Sequence, residues 1–307
     1  MKVSLIGATG FVGSHISEQL LAAGHSLRVM VRPSETPRPG WLDACETVSG
    51  DVGSAEDITD CLAGCDAVIY LIGILREDPS RGITFDELQR RGVERTIEAA
   101  RASGVRRFLL MSANGVKADG TPYQRTKFEA EEALRYSDLD WTIFRPSVIF
   151  GDPHGQMEFC TQLKRDIIDS PLPAPLFYPG LLPLNAGAFQ LAPVAVTDVA
   201  AAFARALADT QTISQTYALC GPEALSWRQI LTTIAAACGK TKLMLPAPAF
   251  AVQTAAAVLD RFPWFPITRD QITMLLEGNA CDGDNGFERL GITPTAFDAV
   301  ALAYLNN

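Results

Sequence analysis

Two hydrophobic rhythms alternate along the first half of the chain, one with strand spacing and one with helix spacing. The run "VSLI" (3–6) is short, apolar and partly β-branched, and "FVGSHISEQLLAAG" (11–24) then places apolar residues at helical intervals, with Gly24 as a C-cap. "SLRVMVR" and "ETVSGDV" read as the second and third strands, separated by the loop "PSETPRPG". Ser54 opens the helix "SAEDITDCLAGC", with Asp57 three residues after the expected N-cap. "DAVIYLIG" is nearly continuous in apolar residues, as a strand covered on both faces should be. A helix over 85–103 leads to the strand "RRFLLMSA", and a helix over 123–136 leads to "WTIFRPSVIF". Six strands alternating with helices call for parallel pairing with right-handed crossovers, hence an open α/β, doubly wound parallel sheet that binds ligands at its carboxyl edge.

Beyond Gly151 the rhythm breaks in the Pro- and Gly-rich stretch "PLPAPLFYPGLLPLNAG". The reading is therefore a nucleotide-binding domain over 1–150, to which 194–221 returns through "TDVAAAFARALAD" and "TYALCG". A smaller, mostly helical lobe takes 151–193 and 222–307. The longest apolar stretch, "LMLPAPAFAVQTAAAVL" from Leu243, contains two prolines and falls short of the roughly 20 residues that span a bilayer. It reads as a strand, a turn and a helix packed in a core, with peripheral contact to a membrane or larger complex as the alternative.

Composition narrows the functional classes. A net charge of −9, with Lys and Arg scattered, argues against a nucleic-acid partner. Seven cysteines without paired short spacing are expected as reduced thiols in a reducing compartment; Cys61 and Cys65 fit helix-end packing better than zinc. The first apolar run ends in a glycine turn, so no targeting segment is expected and the protein is read as cytoplasmic.

That turn, "GATGFVG" (7–13), carries the first chemistry. On a strand-to-helix turn, Gly7 permits the tight bend, Gly10 lets backbone approach a pyrophosphate, and Gly13 lets helix pack on strand. Thr9, Phe11 and Val12 complete the loop whose free amides face the phosphates at a helix N-terminus. At the end of the second strand, where NAD-binding folds place an acid for the ribose hydroxyls, stands Arg32, which favours NADP(H) over NAD(H), with Arg38 as a candidate helper. Asp51 and Val52 follow the third strand at the expected adenine edge, and Ile72 and Gly73 end the fourth, where the cofactor needs room.

"YQRTK" places Tyr123 and Lys127 on one helix face, where a nearby ammonium is expected to favour phenolate. Ser112, at the end of the fifth strand, is placed to bind a substrate carbonyl. Together with the glycine turn these residues resemble the short-chain dehydrogenase/reductase superfamily of the extended or atypical kind, whose pattern is the glycine turn, a strand-end Ser and Tyr-x-x-x-Lys. "FRPSVIFG" is similar to that group's Arg-Pro segment and brings Pro146, Ser147 and Val148 into the expected cofactor set. "YLIGIL", "YQRTKFEAEEAL", "CGPEALSWRQIL" and "PITRDQITMLLEGNACD" resemble the subfamily of the NADPH-binding accessory subunit of respiratory complex I and its bacterial relatives. The resemblance implies a Rossmann fold and tightly held NADPH, and it brings in peripheral association with an inner-membrane complex.

Three functions follow as expectations. The first is an NADP(H)-dependent oxidoreductase acting on a small carbonyl or alcohol, with Tyr123, Ser112 and Lys127 catalytic. The second is a non-catalytic NADPH-binding subunit, and the third an NAD-dependent nucleotide-sugar epimerase or dehydratase, against which Arg32 speaks. No metal is expected. His15 reads as helix packing, His154 as an exposed loop residue, Asp198 as an N-cap, and Phe262, Trp264 and Phe265 as packing aromatics.

Overall fold

A computed structural model of the chain describes residues 1–32, 39–259, 267–281 and 283–306; Arg38, Phe262, Trp264 and Phe265 lie outside them. It divides into two compact units, the first comprising Met1–Pro146, Thr197–Leu219 and Asn285–Ile292. Its strands are β1 (Lys2–Ile6), β2 (Ser26–Val31), β3 (Glu46–Ser49), β4 (Ala67–Tyr70), β5 (Arg107–Met111), β6 (Asp140–Pro146) and β11 (Gln215–Leu219). They form one sheet in the order β3-β2-β1-β4-β5-β6-β11, every pair parallel. The order reverses between β1 and β4, and the carboxyl ends beside that reversal are where a doubly wound sheet accepts a ligand.

The crossovers are α1 (Phe11–Ala22), α2 (Ala55–Leu62), α3 (Gly92–Ser103), α4 (Pro122–Arg135) and α6 (Val196–Ala208). Ser54 caps α2, its hydroxyl accepting from the Asp57 amide at 3.2 Å. Asp198 lies inside the first turn of α6, not at its cap. The strand "TYALCG" returns to the sheet as β11, while residues 285–292, read from sequence as part of the smaller lobe, belong to the sheet unit as α10 (Gly286–Leu290). There Gly286 packs so tightly on Tyr217 of β11 that a Cβ would sit 2.7 Å from that side chain. One face of the sheet is sealed by Ile6, Val68, Tyr70, Phe108, Leu110 and Ile143 against Ile58, Val93, Ile97 and Leu134 of α2, α3 and α4. Burying each such side chain stabilises the unit by about 1.5–3 kcal/mol relative to leaving it in water.

The second unit comprises Ser147–Val196, Cys220–Asp284 and Thr293–Asn307. It holds short strands, β7 (Ile149–Phe150), β8 (Ala174–Tyr178), β9 (Gln190–Leu191), β10 (Val194–Ala195), β12 (Leu225–Ser226) and β13 (Met244–Pro248), paired two by two. Around them lie α5 (Phe159–Leu163), α7 (Trp227–Ala237), α8 (Ala249–Leu259) and α9 (Arg269–Glu277). Its core gathers on Trp227, whose indole N–H donates to Pro175 O at 2.9 Å while Phe177 and Phe189 stack on the ring.

The cysteines correct the sequence reading. Cys220 and Cys281 form a disulfide with Cα atoms 6.0 Å apart, and Cys45, Cys61, Cys65, Cys160 and Cys238 are free. A sequence separation of 61 gives no cue to this pairing; the fold makes it by bringing the residue after β11 beside the segment that follows α9. Cys61 and Cys65 are buried around the end of α2, as expected.

Candidate functional site

The glycine turn is built as its spacing requires. Gly7 has φ +92°, a region that disfavours side chains, and a Cβ there would lie 3.1 Å from the backbone and side chain of Ile72. At Gly13 a Cβ would meet Gly7 O at 2.3 Å and Ala8 Cα and O at 2.7 Å, so α1 rests directly on the turn. Gly10 differs: an added Cβ would touch only Gly7 O, at 3.5 Å, so the protein itself does not demand glycine there. Thr9 and Gly10 are exposed, Phe11 is partly buried and Val12 buried. Gly10 caps α1 without a side-chain hydrogen bond, and the first turn of the helix carries no acid. A helix start with this composition presents amide donors and positive partial charge to an anion.

Around it the other strand ends assemble. The Gly50 amide bonds Val31 O at 3.0 Å, which sets Arg32 and Asp51 on adjoining strand ends, both exposed. Asp51 Oδ1 accepts the Gly53 amide at 2.8 Å, and Arg95 holds the carbonyl of buried Val52 at 3.2 Å. Ile72 backs Gly7, and Gly73 lies next to Lys127, whose Nζ would be 3.5 Å from a Cβ at that glycine.

The start of α4 explains the position of Tyr123 and Lys127. Thr121 and Gln124 form a capping box, with Gln124 Oε1 accepting the Thr121 amide at 2.8 Å, and Pro122 occupies the first turn. Tyr123 and Lys127 therefore stand one turn apart, with Lys127 reaching β5. Lys127 is 6% exposed and its Nζ donates to Met111 O at 3.1 Å; burial pushes the ammonium down to about 8, against a smaller opposing pull from Glu131. Glu131 itself is fully buried, held by Arg135 at 2.7 Å and by Arg145 of β6, a clamp that fixes α4 on the sheet.

The phenol departs from expectation. Burial raises the Tyr123 pKa above its ordinary value, and the ammonium does not offset this, because Nζ lies 5.8 Å from the ring centroid and donates to a carbonyl. Phe85 packs edge-on against the same ring at 5.8 Å. At neutral pH Tyr123 is thus a protonated donor. Ser112 is 4% exposed, and its Oγ has no hydrogen-bond partner among the described residues. An unpaired buried hydroxyl costs about 1–3 kcal/mol, so this one is poised for a group from outside the chain. Ser112, Lys127, Ile72 and Met111 line one narrow crevice with Tyr70, Gln89 and Val93. The described residues fit a dinucleotide: the glycine turn would cradle its phosphates, and the Lys127 ammonium would meet its ribose hydroxyls.

Sequence reasoning missed the supports of this site. A π-helical turn at Asp86–Arg91 precedes α3, and Leu88 O within it accepts the Tyr70 hydroxyl at 2.5 Å; Gly92 is required nearby, since a Cβ there would lie 2.1 Å from the Tyr70 hydroxyl oxygen. Buried Gln89 donates to Ile74 O at 3.0 Å and accepts from Thr126 Oγ1 at 3.1 Å, tying the end of β4 to the turn between Tyr123 and Lys127. The capping box, by contrast, is legible in "TPYQ". Pro146 ends β6, with its carbonyl accepting the Asn114 amide at 2.9 Å. In the second unit Ser147 Oγ donates to Asn279 O at 2.7 Å and Val148 O accepts the Val194 amide at 2.9 Å. His15 packs edge-on against Phe11 within α1, and His154 is an exposed loop residue at φ +47°.

A family described as NAD(P)H-binding matches residues 7–167 of the chain, more than half its length. The chain belongs to this family. It is an NAD(P)-binding Rossmann protein of the extended short-chain dehydrogenase/reductase superfamily. The chain is 25% identical to the mitochondrial 40 kDa subunit of NADH-ubiquinone oxidoreductase from Neurospora crassa, over 99% of the chain and 78% of the relative. It is 32% identical to ceramide reductase from Caulobacter vibrioides across 48% of the chain, which spans only 46% of that relative. A nucleoside-diphosphate-sugar epimerase structure from Staphylococcus aureus superposes with a TM-score of 0.76 at 20% identity, covering 100% of both chains, a likeness of fold. Among the described residues no helix is long and apolar enough to cross a membrane.

Proposed function

We propose that this member of the family is an NADP(H)-dependent oxidoreductase that reduces a small carbonyl compound. The observation that carries the reading is the orphaned, buried Ser112 hydroxyl on the crevice it shares with Lys127, whose ammonium lies 5.8 Å from the Tyr123 ring centroid. The nicotinamide, when bound, supplies the hydride. Ser112 binds the substrate oxygen and aligns it, Tyr123 delivers a proton to that oxygen, and Lys127 holds ribose hydroxyls with its ammonium. Positioning and stabilisation of the developing oxyanion in a water-poor crevice supply most of the rate. NADPH consumption with a panel of aldehydes and ketones tests the reading; no turnover with any of them, in a chain that binds NADPH, contradicts it.

Arg32 supports the choice of NADP(H), since a guanidinium at the end of β2 suits a 2′-phosphate. In calorimetric titrations the native chain is expected to prefer NADPH to NADH, and Arg32→Ala to narrow that preference by about 10- to 100-fold, the worth of a charge-assisted bond. Equal affinities in the native chain would remove the assignment.

Lys127 gives a pH test. Its depressed pKa means the free chain loses this proton as pH rises through about 8, whereas ribose hydroxyls and phosphate charge favour the ammonium in the complex. NADPH binding at about pH 9 is therefore expected to take up about half a proton or more, read as a buffer-dependent binding enthalpy. Lys127→Met should abolish that dependence, and a buffer-independent enthalpy in the native chain would contradict the role.

A second reading has its own support: similarity along 99% of the chain to the 40 kDa subunit favours a non-catalytic NADPH-binding subunit, peripherally attached to a membrane complex. It shares the cofactor site and differs in expecting no turnover.

A further inference from the structure

We infer that Cys220 and Cys281 form a redox-active site, a disulfide that accepts electrons from a dithiol and thereby sets how firmly the loop after β6 is held. Three observations combine. First, this bond stands in a chain with five free thiols, three of them buried, and with none of the cysteine pairing that marks a disulfide-built scaffold. Second, the two sulfurs are unequal: Cys220 is 2% exposed whereas Cys281 is only partly buried, so an incoming thiolate reaches one end of the bond and expels the other.

Third, the segment clipped by the bond is hydrogen-bonded to the loop that follows β6. Asn279, two residues before Cys281, donates its amide to Gln190 O at 2.8 Å, and its carbonyl accepts from the Ala192 amide at 2.8 Å and from Ser147 Oγ at 2.7 Å. Gly278 makes the bend at φ +81°, where a Cβ would lie 2.9 Å from Gln190 O. On the other side of the bond, Gly221 is packed so closely that a Cβ would sit 1.9 Å from Pro193 O. The disulfide therefore fastens a short glycine-turned segment onto 190–193, and that segment fixes Ser147, the residue following Pro146 at the end of β6.

The chemistry balances with one co-reactant, a small or protein dithiol. Its thiolate attacks Cys281 Sγ, the S–S bond breaks, and Cys220 leaves as a thiolate that takes a proton. The second thiol of the reductant then attacks the mixed disulfide, forming the reductant's own disulfide and releasing Cys281, which is protonated in turn. Two electrons and two protons reach the protein, and oxidation by a disulfide of the same class reverses the step.

The link to Ser147 rests on the nucleotide reading, but the redox step does not, so two measurements separate them. In the first, air-oxidised folded chain is treated with dithiothreitol, alkylated and mapped by mass spectrometry. A linked Cys220–Cys281 peptide is expected before treatment, and labelling of both residues, Cys281 first, after it in the folded state. Absence of the linked peptide, or reduction only after denaturation, overturns the proposal. In the second, NADPH affinity is compared for oxidised native chain, reduced native chain and Cys281→Ser. Reduction and the variant are each expected to weaken binding by at least about five-fold, the lower end of ordinary coupling between sites. Unchanged affinity, with the disulfide shown to open, overturns the coupling. A Cys281→Ser chain that does not fold overturns the whole inference in favour of a structural bond. No NADPH binding in any form would count against the nucleotide reading and leave the mapping to decide the redox step.

Discussion

Alanine at Gly13 is expected to abolish measurable dinucleotide binding and to lower the unfolding free energy by about 1–3 kcal/mol, as overpacking does in a tight core. The three atoms that a Cβ would strike, at 2.3–2.7 Å, all belong to the backbone of the turn, so no side chain can swing aside. The helix must lift from the strand, and its amino-terminal amides move with it. Gly10→Ala is the internal control. Its Cβ would make one ordinary contact at 3.5 Å, so stability should stay within about 0.5 kcal/mol while affinity falls, because the methyl occupies the approach to the phosphates. Urea unfolding and NADPH calorimetry on both variants separate the roles. If Gly13→Ala binds like the native chain, the turn is only a turn.

Phenylalanine at Tyr123 is expected to lower carbonyl turnover by about 10²- to 10⁴-fold, the usual worth of a positioned acid, while leaving NADPH affinity unchanged. The substitution keeps the ring and its edge contact with Phe85 and removes the hydroxyl alone. Since burial keeps the phenol protonated in the neutral range, the loss should appear across that range as a lowered maximum instead of a shifted pH profile. Undiminished turnover in Tyr123→Phe would show that another group provides the proton. Absent turnover in both chains, with NADPH binding intact, would favour the subunit reading.

Much of the sheet unit was legible because its signals are local. Continuous apolar runs such as "DAVIYLIG", the Ser54 cap and the glycine spacing each settle structure within a few residues, and strand alternation then fixes parallel pairing. Six alternating strands and a returning seventh follow from those signals, whereas the order that brings β1 beside β4 is seen only in the fold. The remainder depended on contacts between distant segments. Nothing in the sequence pairs Cys220 with Cys281, and nothing returns 285–292 to the sheet; both follow from packing around β11 and its successor residues. The π-helical turn was invisible because "DELQRRGVERTIEAA" has ordinary helical periodicity, and the Tyr70 hydroxyl that bonds Leu88 O within it comes from a distant strand. The Tyr123 phenol was misjudged for the same reason: spacing sets two side chains on one face, but depth decides which protonation state wins.

On the reading proposed for this chain, bare amides between Gly7 and Gly13 receive a pyrophosphate. Calorimetric titration of the native chain with NADPH, repeated with Gly10→Ala, tests it most directly. Saturable one-to-one binding in the native chain, in the micromolar range and clearly weakened by the added methyl, is the expected result. No saturable heat up to millimolar NADPH, or equal affinity in both chains, would contradict it.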